Sequence, residues 1–287
     1  MCHVTSLKGD EAYGTFGSKA FQFVDFLSRS SQKVWQILPL TQVGSLLSPY
    51  ASPDSSSGNH LLIDLKKLDK ENILNNEDWE SIKNKDKKEF IKNKERLLEK
   101  IYISQGEEDS FCDFLQKVFL KQYLELKDYA NNKGIVIFGD LPFYVNLDSK
   151  DVSENKKYFL LDDNGRPFYQ SAVPPDAFQE NGQLWGTPVY DWDNLEKDNF
   201  SYWVGKIKKL SLLYDYLRID HFRGLESYYR VSWDAKDAKE GEWVKVPGDK
   251  LLEELSKIPE IKFIAENLGY ITREVEYLME KYNIPGM

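Results

Sequence analysis

Three short apolar runs, each ending in an acidic residue, constrain the fold of this chain more than any other feature. The runs are IVIFGD at 135–140, YLRID at 216–220 and KFIAE at 262–266. Their apolar, partly β-branched composition predicts buried strands. Helical patterns alternate with these runs along the chain, and this alternation predicts a parallel α/β sheet.

The acidic strand ends favour one α/β architecture over another. Polar residues at the carboxyl ends of strands meet at the catalytic face of a β/α barrel, and an open doubly wound sheet also binds ligands there. Asp140, Asp220 and Glu266 end three separate strands, which favours the barrel. No GxGxxG sequence follows any strand, so a dinucleotide-binding fold has little support.

The organisation predicted from this pattern is one catalytic unit over 1–287, with additional subdomains. Residues 66–130 are rich in Lys, Glu, Asp and Asn with interleaved apolar residues, and they predict an inserted helical subdomain. Residues 141–200 and 227–248 are rich in aromatic residues and are predicted to be mainly long loops. Loops of such length are usually functional.

Composition excludes several classes of protein. A net charge of -9 argues against a binder of nucleic acid phosphates. The presence of only Cys2 and Cys112, with no signal peptide, predicts a cytoplasmic protein. No apolar run reaches the roughly 20 residues of a membrane span. His3, His60 and His221 show no ligand spacing, so no metal site is predicted.

Alternation along the second run separates a polar face from an apolar one. Tyr216, Arg218 and Asp220 share one face, and Leu217 and Ile219 share the other. The apolar face is expected to pack beneath helices, and the charged face to line the mouth of the barrel. Arg218 beside Asp220 is expected to keep the carboxylate ionised, as a nucleophile requires.

Glu266 supplies a second carboxylate of a different predicted character. It follows the apolar residues KFIA, so partial burial is expected to raise its pKa and make it a general acid. Two carboxyl groups in opposite protonation states are the requirement of glycoside chemistry. The pair therefore predicts an enzyme acting on sugars.

Each of these residues also has a simpler structural explanation. Arg218 and Asp220 could form a structural ion pair, and Asp140 could cap a strand end. Glu266 could be a surface acid, and His221 an ordinary hydrogen-bonding residue. Their joint occurrence at strand ends favours the site.

The aromatic stretch QLWGTPVYDWD contains Trp185, Tyr190 and Trp192 among Gly and Pro. Flat aromatic faces beside carboxylates suit sugar rings. These side chains could instead cover the core, and for Trp192 that interpretation is preferred. Base stacking would also use aromatic residues, but the acidic charge opposes nucleic acid.

Taken together, several motifs resemble the amylomaltase or 4-α-glucanotransferase family, the disproportionating enzymes. The resemblance covers nearly the whole chain and is carried by HVTSL, YGTFG, WQILPL, SPY, GDLPFYV, VPPDAF, GQLWGTPVYDW, LRIDHFRG, AENLG and IPGM.

The resemblance implies a glycosyltransferase that moves α-1,4-glucan segments between maltooligosaccharides with retention, on a (β/α)8 barrel with inserted subdomains and without an organic cofactor. Asp220 matches the nucleophile, Glu266 the general acid/base, and Arg218 the residue that keeps Asp220 ionised. The positions that match sugar-binding residues are Tyr50, Asp140, Asp176, Trp185 and His221.

Two departures from the family pattern shape the expectation. The third catalytic carboxylate, in a THDN-type motif, and the last barrel strands find no match within residues 1–287, and the chain starts abruptly before HVTSL. We therefore expect a truncated chain that is poorly active alone. The alternatives are an amylase-like α-glucan hydrolase that uses the same two carboxylates, and an inactive remnant that only binds glucan.

Overall fold

The computed structural model of the chain describes residues 1–83 and 86–287. Its helices are α1 Ser18–Arg29, α2 Leu65–Leu68, α3 Asn76–Glu80, α4 Lys87–Gln105, α5 Phe111–Asn132, α6 Lys150–Glu154, α7 Trp192–Lys197, α8 Ser201–Leu213, α9 Gly248–Leu255 and α10 Arg273–Lys281. Its strands are β1 Val34–Gln36, β2 Val136–Leu141, β3 Tyr169–Val173, β4 Gln183–Pro188, β5 Tyr216–Ile219, β6 Ser227–Ser232, β7 Glu242–Lys245 and β8 Lys262–Ala265.

The three apolar runs of the sequence form strands β2, β5 and β8 of one sheet, as predicted. The sheet has the order β1-β2-β5-β8. Strand β1 pairs with β2 in parallel from Val34 opposite Val136, and β5 pairs with β8 in parallel from Tyr216 opposite Lys262. Helices separate these strands along the chain, so the sheet is built from β/α repeats. Its four strands, counted over the described residues, are half the number in a closed (β/α)8 barrel.

The chain divides into two compact units. The first consists of Met1–Leu40 and Ser57–Phe138. Phe16 packs at ring-centroid distances of 5.3 Å against both Phe119 and Tyr123 of α5. The fully buried Lys94 of α4 bonds Glu11 and the Ile63 carbonyl. That residues 66–130 form an inserted subdomain stays a prediction.

Helices α4 and α5 of this unit are joined by a short connection. Helix α4 ends at Gln105 and is followed by Gly106, which has a φ of +62°, a left-handed conformation that glycine adopts without steric cost. Helix α5 begins after Ser110, whose side chain accepts a hydrogen bond from the Asp113 N–H. Neither these helices nor any other in the described residues is both long and apolar enough to cross a membrane.

The second unit consists of Thr41–Ser56 and Gly139–Met287. It contains the end of β2, strands β5 and β8, and a separate sheet with the order β4-β3-β6-β7. Every pairing within this second sheet is antiparallel.

This antiparallel sheet overturns the prediction of loops over 141–200 and 227–248. Strands β3 and β4 lie in the first of these stretches, and β6 and β7 lie in the second. Strand β3 pairs with β6 from Tyr169 opposite Ser232, so its partner is distant in sequence. The pattern was missed because Gly186 and Pro188 interrupt β4, and both residues are normally depleted in strands.

The carboxyl end of β2 depends on a glycine. A Cβ at Gly139 would lie 2.3 Å from the ring of Tyr214, which is itself buried. The absence of a side chain therefore lets the tyrosine ring pack directly against the strand. This contact fixes the backbone immediately before Asp140.

Candidate active site

Arg218 of β5 lies between the three strand-end carboxylates. Its Nη1 is 2.7 Å from Asp140 Oδ1, and its Nη2 is 2.7 Å from Asp220 Oδ1 and 2.6 Å from Glu266 Oε1. The arginine side chain is only 14% exposed. One cation thus serves three carboxylates, and within the described parts of the chain no group of three or more His, Cys, Asp or Glu could hold a metal ion.

Backbone hydrogen bonds continue the sheet into the site and set the positions of the two predicted catalytic carboxyls. The Asp220 N–H donates to the Leu141 carbonyl at 3.1 Å, and the Glu266 N–H donates to the Ile219 carbonyl at 3.0 Å. His221 has a left-handed φ of +51°, and its N–H donates to Glu266 Oε2 at 2.7 Å. The chain therefore turns directly after Asp220 and directs a backbone donor at the neighbouring carboxylate.

The separation of Asp220 and Glu266 distinguishes between two stereochemical classes. Their Oδ1 and Oε1 atoms lie 2.7 Å and 2.6 Å from the same arginine nitrogen, so they cannot be farther apart than the sum of those distances. Retaining glycosidases hold their carboxyls roughly 5–5.5 Å apart, and inverting enzymes roughly 6.5–9.5 Å apart. The upper limit for this pair of oxygens is shorter than the inverting separation, so the geometry argues against the inverting class.

The pKa order of the pair is the reverse of the expectation from sequence. Burial, together with the charges of Glu266 and Asp140, raises the pKa of Asp220 to about 7 against the opposing effect of Arg218. Burial also acts to raise the pKa of Glu266, but the His221 N–H and Arg218 outweigh it and lower that pKa. The expectation failed because Arg218 does not serve Asp220 alone. The two carboxyls interact directly and therefore titrate as a pair.

The structure brings four of the five predicted sugar-binding residues to this cluster. The Tyr50 hydroxyl donates to Asp140 Oδ2 at 2.5 Å, and burial followed by this contact raises the tyrosine pKa. The ring of Trp185 meets His221 edge to face at 5.0 Å. Burial lowers the pKa of His221 to about 4, so its ring is neutral at neutral pH. Asp176 is exposed, and its described hydrogen bonds come from backbone N–H groups of its own loop.

The aromatic residues divide differently from the prediction made for QLWGTPVYDWD. Tyr190 and Trp192 are buried, which confirms the core interpretation of Trp192 and excludes a free ring face at Tyr190. Tyr144 was missed, although its ring lies 5.7 Å from Trp185 and 6.3 Å from His221. Its place in the GDLPFYV motif, directly after β2, was the available signal.

Comparison with known proteins assigns the chain to a family. A sequence profile described as 4-alpha-glucanotransferase matches residues 2–112 and 103–287. The 4-alpha-glucanotransferase of Clostridium butyricum is 38% identical over 99% of this chain and 72% of its own length. The chain belongs to the 4-alpha-glucanotransferase family. The family's Thermus thermophilus enzyme is 33% identical over 100% of the chain and 70% of its own length.

Solved structures of the family agree with the fold. An amylomaltase from Streptococcus agalactiae in complex with acarbose superposes with a TM-score of 0.87 at 33% identity, over 100% of this chain and 72% of that chain. The amylomaltase of Corynebacterium glutamicum has a TM-score of 0.82 at 16% identity, over 99% of this chain and 49% of its own, and shows the fold alone. The prediction of a 4-alpha-glucanotransferase on a β/α-barrel fold is therefore confirmed.

The comparisons also show that a relative is longer than this chain within the region where the two align. The alignment with the Clostridium butyricum 4-alpha-glucanotransferase runs over 352 positions, 65 more than the 287 residues of this chain. The two stretches matched by the family profile overlap at 103–112, which covers the connection between α4 and α5. This relative therefore carries residues without a counterpart here.

Proposed function

We propose that this chain transfers α-1,4-glucan segments between maltooligosaccharides through a covalent glucosyl intermediate on Asp220, with Glu266 as general acid and base. The observation that carries the proposal is the placement of both carboxyls on one guanidinium nitrogen of Arg218. That placement supports a retaining mechanism, in which the product keeps the anomeric configuration of the donor.

The first step begins with one proton shared by the carboxyl pair. Glu266 must carry that proton to donate it to the glycosidic oxygen, while an Asp220 oxygen attacks the anomeric carbon. The bond from that carbon to the leaving oxygen then breaks, and a glucosyl ester forms. The two carboxyls interact directly, so a proton held by the pair can pass from Asp220 to Glu266 before bond cleavage.

The second step reverses the proton movement. Glu266, now a carboxylate, takes the proton from the 4-hydroxyl of an acceptor glucan, and that oxygen attacks the anomeric carbon and releases Asp220. Two inversions give net retention. Arg218 bonds both carboxylates and so stabilises the charge on whichever of them is ionised.

We also assign Tyr50, Asp140, Asp176, Trp185 and His221 to sugar binding. The hydrogen bond from Tyr50 to Asp140, the neutral ring of His221 and its edge-to-face contact with Trp185 support this assignment for the cluster. Asp176 would act from its exposed loop. A cytoplasmic location is part of the same proposal, and the two free cysteines support it.

An activated donor distinguishes the roles of the two carboxyls. Maltosyl fluoride needs no acid to release its leaving group, so Glu266→Ala should still form the intermediate, which added azide would capture as the α-maltosyl azide. Asp220→Ala should lose the intermediate, and azide should then attack the donor directly to give the β-maltosyl azide. The opposite pattern of products would make Glu266 the nucleophile and refute the assignment.

Product analysis with maltotriose distinguishes transfer from the alternatives. Transfer gives glucose together with oligomers longer than maltotriose, whereas glucose and maltose alone would establish a hydrolase. A wild-type chain that binds maltotriose but turns over neither it nor maltosyl fluoride would establish a glucan-binding remnant. Binding of maltotriose by Asp220→Ala, measured by calorimetry, provides the control that the variant retains its fold.

A further inference from the structure

Asp151, in the first turn of α6, is a buried acid outside the carboxylate cluster. It accepts hydrogen bonds from the Ser55 N–H at 3.0 Å and the Ser55 hydroxyl at 2.5 Å. It also accepts from the Tyr202 hydroxyl at 3.2 Å and from Lys206 Nζ at 3.4 Å, both on α8. Asp151 thus joins α6 and α8 to the segment 41–56.

The start of α6 holds this segment at two further positions. The Lys150 N–H donates to the Pro53 carbonyl at 2.9 Å, and its Nζ lies 3.2 Å from Asp54 Oδ2. The segment is also bonded to itself, because the Ser52 hydroxyl donates to the Gln42 carbonyl at 2.6 Å. Residues 53–55 are therefore bonded to α6, and the adjacent Ser52 is bonded to the beginning of the same loop.

The electrostatics of Asp151 favour its charged form. Burial alone would raise its pKa, but Lys206 and the two hydrogen bonds from Ser55 outweigh burial and lower it. Hydrogen bonds to an ionised acceptor are roughly twice as strong as neutral ones. A buried ion pair gives little net stability but can specify one arrangement of the chain.

We propose that Asp151 is a positioning residue that, through residues 53–55, holds Tyr50 against Asp140. Tyr50 lies on the single 3-10 turn Pro49–Ala51, which is too short to be stable alone. Tyr50 is 41% exposed, so packing constrains it only partly. Because the anchored loop orders Tyr50 before the sugar binds, the entropy cost of ordering this side chain does not weaken the binding. This inference rests on the proposed sugar-binding role of Tyr50.

The test compares Asp151→Asn, which keeps the volume but removes the charge, with a matched control. The KM for maltotriose should rise about tenfold with little change in kcat, because charge-assisted hydrogen bonds to the loop are lost. Amide exchange of residues 48–56 should become faster. Asp198→Asn removes another acid, bonded by Tyr158 and Ser201, and should change neither measurement.

A double-variant cycle separates positioning from general loss of structure. In a Tyr50→Phe background, Asp151→Asn should raise KM little further, because both changes remove the same contact. Additive effects, or unchanged exchange of residues 48–56, would overturn the proposal. If Asp151→Asn fails to fold, Ser55→Ala removes one hydrogen bond of the anchor and should show a smaller effect of the same kind. Amide exchange requires no turnover, so it decides the role of the anchor even if the proposed activity fails.

Discussion

Asp220→Asn is expected to make the folded chain more stable at neutral and alkaline pH, although it removes an ion pair with Arg218. The raised pKa means that the folded environment prefers the neutral carboxyl, and asparagine is a neutral side chain of the same shape. The expected gain in the free energy of unfolding is therefore equal to the cost of ionising Asp220 in the folded chain.

The magnitude follows from the pKa and the exposure of the side chain. A rise from 3.8 to about 7 corresponds to about 4 kcal/mol, at 1.36 kcal/mol per pKa unit. Asp220 is 31% exposed and shares its proton with Glu266, so we expect about half of that value, about 2 kcal/mol. For a chain of this size the melting temperature should rise by roughly 4 °C.

The pH dependence gives the prediction its sign. Between about pH 4 and pH 7 the folded chain holds a proton on Asp220 that the unfolded chain has released, so the contribution of Asp220 to wild-type stability falls as pH rises through this window. The asparagine variant does not titrate there. The difference in free energy of unfolding between the variant and the wild type should be near zero at about pH 4, grow up to about pH 7, and become constant above about pH 8.

Urea denaturation followed by tryptophan fluorescence measures this difference. Asp78→Asn serves as a control of opposite sign, since burial raises the pKa of Asp78 but contacts with Lys100, Asn75 and Arg96 outweigh it and lower that pKa. That variant should lose stability at neutral pH, and the loss should disappear only as pH falls through the lowered pKa. An Asp220→Asn protein that is less stable than wild type at about pH 8, or whose difference does not change with pH, would refute the reasoning.

Two further substitutions test contacts outside the carboxyl pair. Gly139→Ala would place a methyl group 2.3 Å from the Tyr214 ring and should cost about 1–3 kcal/mol in urea denaturation, whereas Gly205→Ala in α8, where a Cβ meets no atom within 4 Å, should be neutral or slightly stabilising. Lys94→Met would leave Glu11 buried without its cation and should cost about 3–5 kcal/mol at neutral pH. Adding Glu11→Gln should recover part of that loss, and a double variant no more stable than Lys94→Met would contradict this explanation.

The parallel strands were predictable because each one is recognisable from its own local sequence. Strands β2, β5 and β8 are apolar runs, and the acids that end them mark the edge at which side chains meet. Alternation along β5 was sufficient to place Arg218 and Asp220 on the same side of the strand. The antiparallel sheet was not predictable in this way, since β3 and β6 are far apart in sequence and each is stabilised by the other.

The sharing of the Arg218 guanidinium among three carboxylates could not be predicted from the sequence. Because Arg218 and Asp220 are close in sequence, an ion pair between these two residues alone was predicted. In the structure the guanidinium also bonds Asp140 and Glu266, which come from other strands. Likewise, nothing in the sequence near Asp151 indicates that it bonds Ser55, almost a hundred positions earlier. A pKa depends on every charge that folding brings near, so it becomes predictable only after the fold is known.

The connection between α4 and α5 has a practical consequence. Glycine at 106 ends one helix and Ser110 caps the next, so each helix terminus is satisfied by residues of the connection itself. A fluorescent domain grafted between residues 106 and 110 would therefore leave both helix ends intact, and the chain could serve as the scaffold of a maltooligosaccharide sensor.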